Sequence, residues 1–332
     1  MHEVWYGDRR PGLLLRSLEH VYSSVAARRR RASEPAADLV GKPIIVVGNI
    51  TAGGTGKTPL VIRLCELARS AGLAPAVVSR GYGRSSRGAV TVVATTPAAE
   101  AGDEPALIAR LAEVTVHVDA DREAAARAAF AGGADLVIAD DGLQRLSLPR
   151  ELELCVVDGA RGFGNGRLLP AGPLREPVER LQTVDAVVSN GPATGVDLPA
   201  DTVSMTLTPR HWLRVDGSEQ RSLEQFGDVL ADQPVHAMAA IGHPERFFLT
   251  LESLGIAPGQ HHVFPDHHAF APGDFSGLDG VVLMTEKDAV KCAGLDIPQG
   301  WALAVQARLP EAWESSMVTR MRQLTSKATE AS

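Results

Sequence analysis

Lys57 and Thr58 close the segment Thr51-Ala52-Gly53-Gly54-Thr55-Gly56-Lys57-Thr58, whose residue types and spacing suit the binding of a phosphate chain. An apolar run at 44–47 precedes it and a helical stretch at 60–71 follows. Strand, glycine-rich turn, Gly-Lys-Thr and helix in that order make a P-loop, the cradle of nucleoside-triphosphate enzymes. Backbone N–H groups at the helix start would bind phosphate oxygens, and the helix dipole adds to their pull. Lys57 would reach the β- and γ-phosphates, and the Thr58 hydroxyl would ligate Mg²⁺. Thr51 stands where such loops usually carry their first glycine. A Gly/Thr-rich surface turn is the simpler alternative, but it explains neither the strand before nor the helix after.

Other residues offer complementary chemistry. An apolar strand at 136–139 ends in Asp140-Asp141, and a carboxylate at that strand end opens beside the phosphate turn and can hold a metal. Asp103-Glu104-Pro105 opens a helix. Asp103 reads equally as an N-terminal cap and as a base for an attacking hydroxyl. Phe264-Pro265-Asp266-His267-His268 follows a short strand. Neighbours on an extended chain point to opposite sides, so a histidine tuning a carboxylate fits better than a metal site. The glycine- and proline-rich stretch 162–177, with Arg175, mixes leucines and arginines as an amphiphilic anionic ligand would require. Arg80 and Tyr82 end a strand on the same side, and Arg122 opens a helix on that rim.

These residues need a scaffold. Predicted strands are 44–47, 74–79, 89–93, 114–118, 136–139, 152–157 and 186–189, with helices at 59–71, 103–111 and 121–131. Continuous apolar strands alternating with helices indicate an α/β, doubly wound, mostly parallel sheet of P-loop NTPase type, with ligands at the strands' carboxyl ends. From about 203 the pattern changes. Two strands, 203–207 and 212–215, flank Thr208-Pro209-Arg210 as a connecting pair. A second, smaller α/β lobe follows, with strands 235–240, 262–264 and 281–284 and helices at 244–254 and from Lys287. A strand at 301–305 returns to the first domain before a C-terminal helix. The expected divisions are 1–31, an amphipathic basic helix region; 32–204, a P-loop kinase domain; 205–215, a β linker; 216–297, the smaller lobe; and 298–332, the return strand and helix. Only the last few residues look disordered.

Charge is unevenly placed over the 332 residues. Residues 1–31 hold seven arginines against three acids, a net of +4, which leaves −11 for the remainder of a chain that totals −7. So acidic a body argues against a nucleic-acid surface, while the basic start wants an anionic partner. Leu14, Leu18, Val21, Tyr22 and Val25 fall on one face of a helix that ends in Arg28-Arg29-Arg30-Arg31. That helix either lies on an anionic membrane or packs on the domain. Its charges forbid a span, and no signal-peptide core is seen. Cys65, Cys155 and Cys292 show neither disulfide nor metal spacing, as expected of a reducing cytoplasm.

Together these pieces closely resemble the tetraacyldisaccharide 4'-kinase family of lipid A biosynthesis. The resemblance runs nearly end to end: Trp5-Tyr6, Gly48-Asn49 and the 51–58 turn, 79–84, 102–105, Asp140-Asp141-Gly142-Leu143-Gln144, 164–177, 264–267 and Thr285-Glu286-Lys287-Asp288. Leu143 departs from the usual phenylalanine, a change expected to adjust packing only. The resemblance implies transfer from ATP to the 4'-hydroxyl of a tetraacyldisaccharide 1-phosphate, peripherally on the cytoplasmic face of an inner membrane, with no obligatory protein partner. It implies an Asp103–His267 pair as base and orienting group, and Lys57 on the transferred phosphate. Residues Thr51, Ala52, Gly53, Gly54, Thr55, Gly56, Lys57 and Thr58 would cradle ATP. Thr58, Asp140, Asp141 and Glu104 would serve Mg²⁺, and Asn49, Arg80, Tyr82, Arg122 and Arg175 the acceptor. The alternative is a P-loop GTPase or metallochaperone-type switch protein, for which Thr285-Glu286-Lys287-Asp288 only imitates the guanine-reading motif.

Overall fold

The apolar runs fold as strands of one sheet in the computed structural model, which describes residues 1–231, 233–297 and 299–330. In chain order these are β1 (Ile44–Gly48), β2 (Pro75–Ser79), β3 (Val90–Val92), β4 (Val116–Val118), β5 (Leu136–Asp140), β6 (Leu152–Asp158), β7 (Ala186–Asn190), β8 (Val203–Arg214), β9 (Gln220–Ser222), β10 (Val235–Ala239), β11 (Gln260–Val263), β12 (Val281–Thr285) and β13 (Gly300–Arg308). The helices are α1 (His2–Trp5), α2 (Leu13–Ala32), α3 (Lys57–Ser70), α4 (Ala98–Ala101), α5 (Asp103–Ala112), α6 (Arg122–Ala131), α7 (Gly227–Leu230), α8 (Pro244–Ser253), α9 (Glu286–Lys291) and α10 (Glu311–Glu330). The expected disorder at the end falls partly on residues 331–332, outside the described residues.

Spatial order across the sheet is β11-β10-β12-β13-β8-β7-β6-β1-β5-β2-β4-β3, with β9 paired to β8. From β4 through β8 the pairing is parallel, and β3 closes the edge antiparallel. β1, β2, β4 and β5 are buried along their whole lengths, so both sheet faces must be covered. Strand alternation divides the cover. Ile45 and Val47 face a core with Leu60, Leu64, Ile108 and Met321, while Ile44 and Val46 face one with Ala125, Leu143 and Leu174. Leu143 is fully buried there, so the leucine is accommodated by packing. A separate pair of cores surrounds β10, β12 and β13, and defines the smaller C-terminal lobe.

The expected strand pair joined by Thr208-Pro209-Arg210 is instead one strand, β8. Its first residues lie parallel to β7, and its length pairs antiparallel with β13, so a single strand belongs to both lobes. Ala304 faces His211 and Val305 faces Pro209, leaving Arg210 as an extra residue at a register shift. Proline has no N–H for a ladder, and an irregularity is where a sheet tolerates it. The strand expected to return to the first domain stays in the smaller lobe: β13 pairs with β12 and buries Trp301 and Leu303 in that lobe's core, so the chain returns to the N-terminal lobe only beyond it. Met317, Met321 and Leu324 of α10 join its core, and Glu314 takes hydrogen bonds from Arg63 of α3 at 2.8 and 2.7 Å.

Helix α2 lies on this body by one side. Glu19 accepts from Arg167 Nη1 at 2.8 Å and from the Leu168 N–H at 2.9 Å, and the Tyr22 hydroxyl donates to the Arg175 carbonyl at 3.0 Å. Arg30 pairs with Glu176. Tyr22, expected on the apolar face, therefore belongs to the docked side. The apolar stripe itself is bare: Leu14 is 73% exposed, Leu18 45%, Val21 60% and Val25 44%. Among the described residues no helix is long and apolar enough to cross a membrane.

Candidate active site

The turn after β1 is shaped by two glycines in the left-handed region, Gly53 (φ +99°) and Gly56 (φ +93°), and α3 starts at Lys57. A Cβ on Gly56 would come within 2.2 Å of Asn190 Nδ2, the group that donates to the Thr55 carbonyl at 3.0 Å. Thr51 forms an antiparallel bridge with Leu174, and the Ala52 N–H donates to the Pro173 carbonyl at 2.7 Å. Thr51 is not among the positive-φ residues, so the missing glycine is not needed there. Asn49 is fully buried beneath the loop, and its Nδ2 donates to the Gly53 carbonyl at 3.4 Å.

β5 lies parallel beside β1, with Asp140 opposite Val47. This register brings both acids to the loop. Asp141, at φ +50°, lies 3.4 Å from Lys57 Nζ and takes Arg175 Nη1 on both oxygens at 3.0 Å. Burial favours its neutral form, but Lys57 and Arg175 outweigh that and hold its pKa at about 2. Asp140 is 1% exposed, and burial, reinforced by Glu104, pushes its pKa up to about 7. Ser79 Oγ donates to Asp140 Oδ2 at 3.3 Å, while Oδ1 is buried without a hydrogen-bond partner among the described residues. Such an orphaned acceptor fits a hard cation. The residues present thus suit Mg²⁺.

Across the cleft, the N-terminus of α5 meets the loop after β11. His267 Nδ1 lies 3.2 Å from Asp103 Oδ2, and 164 residues of chain separate the two. His267 holds a left-handed backbone at φ +63°, and its ring lies 5.2 Å from that of Tyr82. Gly102 (φ +92°) approaches the Tyr82 carbonyl, where a Cβ would lie at 3.0 Å. That close approach sets the direction of α5. His268 turns away to Asp274 Oδ2 at 2.9 Å. Beside Asp103, Glu104 Oε1 accepts from Lys287 Nζ at 3.0 Å. Burial raises the Glu104 pKa, but Lys287 and Lys57 override it and keep it below the ordinary value.

The acceptor-side candidates divide by burial. Tyr82 is 70% exposed beside the His267 ring, and Arg80 is exposed. Arg122 is buried instead of lying on a rim. Its Nη1 donates to the Asp119 carbonyl at 2.9 Å, and its Nε is buried without a hydrogen-bond partner among the described residues. Arg175 is half-buried on Asp141.

Three contributors escaped the sequence reading. Asn190 braces the loop from the end of β7. Gln144 Nε2 links the Asn49 carbonyl (2.9 Å) to Glu176 Oε1 (2.8 Å). Lys287 sat in a tetrapeptide weighed only against a guanine-reading motif. Gln144 and Lys287 lay inside segments already singled out, whereas Asn190 left no signal beyond ending a strand. Behind the loop a cavity of about 460 Å³ runs between the lobes, its walls including Pro59, Ile62, Asn190, Leu207, Leu213 and Phe247.

The chain is similar to known proteins over nearly its whole length. Residues 12–322 match the family described as Tetraacyldisaccharide-1-P 4'-kinase. A tetraacyldisaccharide 4'-kinase from Hahella chejuensis is 46% identical, covering 98% of this chain and 97% of the relative. One from Xanthomonas euvesicatoria is 45% identical over 97% and 96%. Among solved structures, LpxK from Aquifex aeolicus in complex with ATP superposes with a TM-score of 0.71 at 27% identity, over 92% of this chain and 97% of that one.

Proposed function

This chain belongs to the tetraacyldisaccharide-1-P 4'-kinase family, and from that premise we infer how its own residues carry the reaction. The protein is an ATP-dependent kinase that phosphorylates the 4'-hydroxyl of tetraacyldisaccharide 1-phosphate in lipid A biosynthesis. The observation that carries our assignment of roles is the Asp103–His267 contact at 3.2 Å, made across the cleft from the phosphate loop.

The 51–58 turn, with Lys57, grips the triphosphate of ATP. The cavity beside Asn190, with its apolar walls, takes the nucleoside. Thr58 and Asp140 would hold Mg²⁺, with Asp141 and Glu104 next to it, and the metal when bound neutralises charge on the β- and γ-phosphates. Asp141 has a second task. Its pairing with Lys57 keeps that ammonium at the mouth of the loop.

Asp103 takes the proton of the 4'-hydroxyl as the sugar oxygen bonds to the γ-phosphorus and ADP leaves. His267 orients that carboxylate, and Lys57 follows the charge on the transferred group. Arg80 and Tyr82 line the acceptor side and Arg175 stands by the transferred phosphoryl group, whereas Arg122, buried near Asp140 and Asp141, and Asn49, buried beneath the phosphate loop, support the site from within and do not meet the acceptor. The two lobes, the smaller one including β13, are joined by β8 and shield the reacting atoms from water.

The bare stripe Leu14, Leu18, Val21 and Val25, next to Arg28 and Arg29, rests on an anionic bilayer at the inner face of the inner membrane. There the acylated acceptor is presented. The side of α2 facing the protein is already occupied by Arg167, Leu168, Arg175 and Glu176, which favours this over a purely packed helix. Incubation with γ-labelled ATP and the tetraacylated disaccharide 1-phosphate tests the whole reading. Label is expected on the 4'-oxygen; label released as inorganic phosphate alone contradicts it.

A further inference from the structure

The segment Thr285-Glu286-Lys287-Asp288 takes no part in the steps above, yet it is held with unusual care. Asp288 is fully buried. Its Oδ2 accepts from Thr285 Oγ1 at 2.8 Å and from the Ala240 N–H at 3.2 Å, and its Oδ1 pairs with Lys291 at 2.7 Å. Thr285 caps α9 by accepting the Asp288 N–H at 3.2 Å. Glu286 Oε2 accepts the Val305 N–H at 3.0 Å. These bonds tie α9 to the end of β10 and to β13, inside the C-terminal lobe. None of them needs Lys287.

Lys287 points the other way. Its Nζ lies 3.0 Å from Glu104 Oε1 and 3.7 Å from Asp266 Oδ1, with the side chain 17% exposed. Glu104 follows Asp103 in α5, and Asp266 precedes His267. Two contacts therefore run across the cleft, Lys287–Glu104 and His267–Asp103, from adjacent residues of α5 to two different segments of the smaller lobe. Asp103, Glu104, Asp140, Asp141 and Asp266 crowd carboxylates into this region. Lys57 and Arg175 pair with Asp141, and Lys287 pairs with Glu104 and Asp266. Burial works against its charge, but the two acids outweigh that and raise its pKa above the usual lysine value. An exposed ion pair contributes little. A mostly buried one on a fixed frame instead sets where its neighbours stand.

We propose that Lys287 is an inter-lobe positioning residue that draws Glu104 and Asp266 together so that Asp103 and His267 meet at the reacting hydroxyl. The proposal rests on the kinase reading above and adds a member to it. Misplacing a reacting group by about 1 Å costs on the order of 10²-fold in rate. Lys287→Met should thus lower kcat about 10²-fold, leave the KM for ATP within about twofold, and leave the melting temperature close to wild type. Lys287→Arg, which keeps the charge, should recover most of the loss. Lys287→Gln should cost about the same 10²-fold in the wild-type background but no more than about fivefold in a Glu104→Gln background, because the bridge from Glu104 to Asp266 is already broken there. This second comparison decides the matter if Lys287→Met fails to fold. A kcat for Lys287→Met within threefold of wild type, a loss that Arg does not recover, or about the same 10²-fold cost in both backgrounds overturns the proposal. Wild-type enzyme in the same labelled assay separates the two readings, since absence of 4'-transfer there would defeat the kinase assignment itself.

Discussion

The phosphate cradle and the acceptor side of the cleft are built by opposite strategies. Residues 51–58 are consecutive, set between strand β1 and helix α3 and braced by Pro173, Leu174 and Asn190 of the same lobe. The acceptor side draws Asp103 and Glu104 from α5, His267 from the loop after β11 and Lys287 from α9, partners separated by 164 and 183 residues. The cradle is complete within the N-terminal lobe. The base pair exists only when both lobes are folded and β8 and β13 have set their separation. A phosphate grip can thus be kept while acceptor chemistry is lost, whereas damage to the cradle disables both.

The largest break in this comparison should come from Lys57→Ala. A cation on the transferred phosphoryl group is worth about 10³–10⁵-fold in related phosphoryl transfers. Turnover should fall by that order in a coupled ADP-release assay, and near-normal turnover would remove Lys57 from the chemistry. Next comes Asp103→Asn, which should lower kcat by about 10²–10⁴-fold, the usual range for a general base. ATP affinity measured by calorimetry should stay nearly unchanged, because the cradle stands apart; a large loss of affinity would merge the two regions.

A smaller effect tests the outer surface. Replacing Leu18 and Val21 by Glu puts charge on the bare stripe of α2 without touching Glu19 or Tyr22. Activity on acceptor in anionic vesicles should fall about tenfold or more, from lost apolar contact and added repulsion. Activity on a short-chain soluble analogue should not change. Equal losses on both would return α2 to a packing role.

The smallest effect concerns stability. Glu286 lies by the inter-lobe cavity, and burial raises its pKa to about 7 despite the bond from Val305. The folded state therefore holds this proton more tightly than the unfolded chain does, and the group's ionisation weakens the fold as pH rises from about 4.5 to 7. Glu286→Gln keeps an acceptor for the Val305 N–H and removes that burden. It should raise stability by up to about 3 kcal/mol above pH 7 and by almost nothing near pH 4. Denaturant titrations at the two pH values check the sign.

The same contrast explains what the chain disclosed before folding. The 51–58 turn, the β5 run ending in Asp140-Asp141 and most strand positions were legible, because a P-loop and buried parallel strands are local patterns. Asp103 stayed balanced between cap and base, since its partner His267 is brought near only by tertiary structure. The Asp103–His267 pairing came from family resemblance instead of spacing. Thr208-Pro209-Arg210 looked like a connection because proline usually ends a strand, and only the partner β13 shows that a register shift absorbs it. Arg122 resembled a rim residue by position, yet packing buries it near Asp140 and Asp141. Lys287 was hidden for the same reason as His267: its meaning lies in Glu104, on the other lobe.

The most direct test of a base assembled across two lobes is a kinetic double-mutant cycle on Asp103→Asn and His267→Ala, read as kcat for 4'-transfer from labelled ATP. If the two act as one unit, the double variant should be scarcely slower than the worse single variant. Fold-losses that simply multiply would show independent groups and contradict the account.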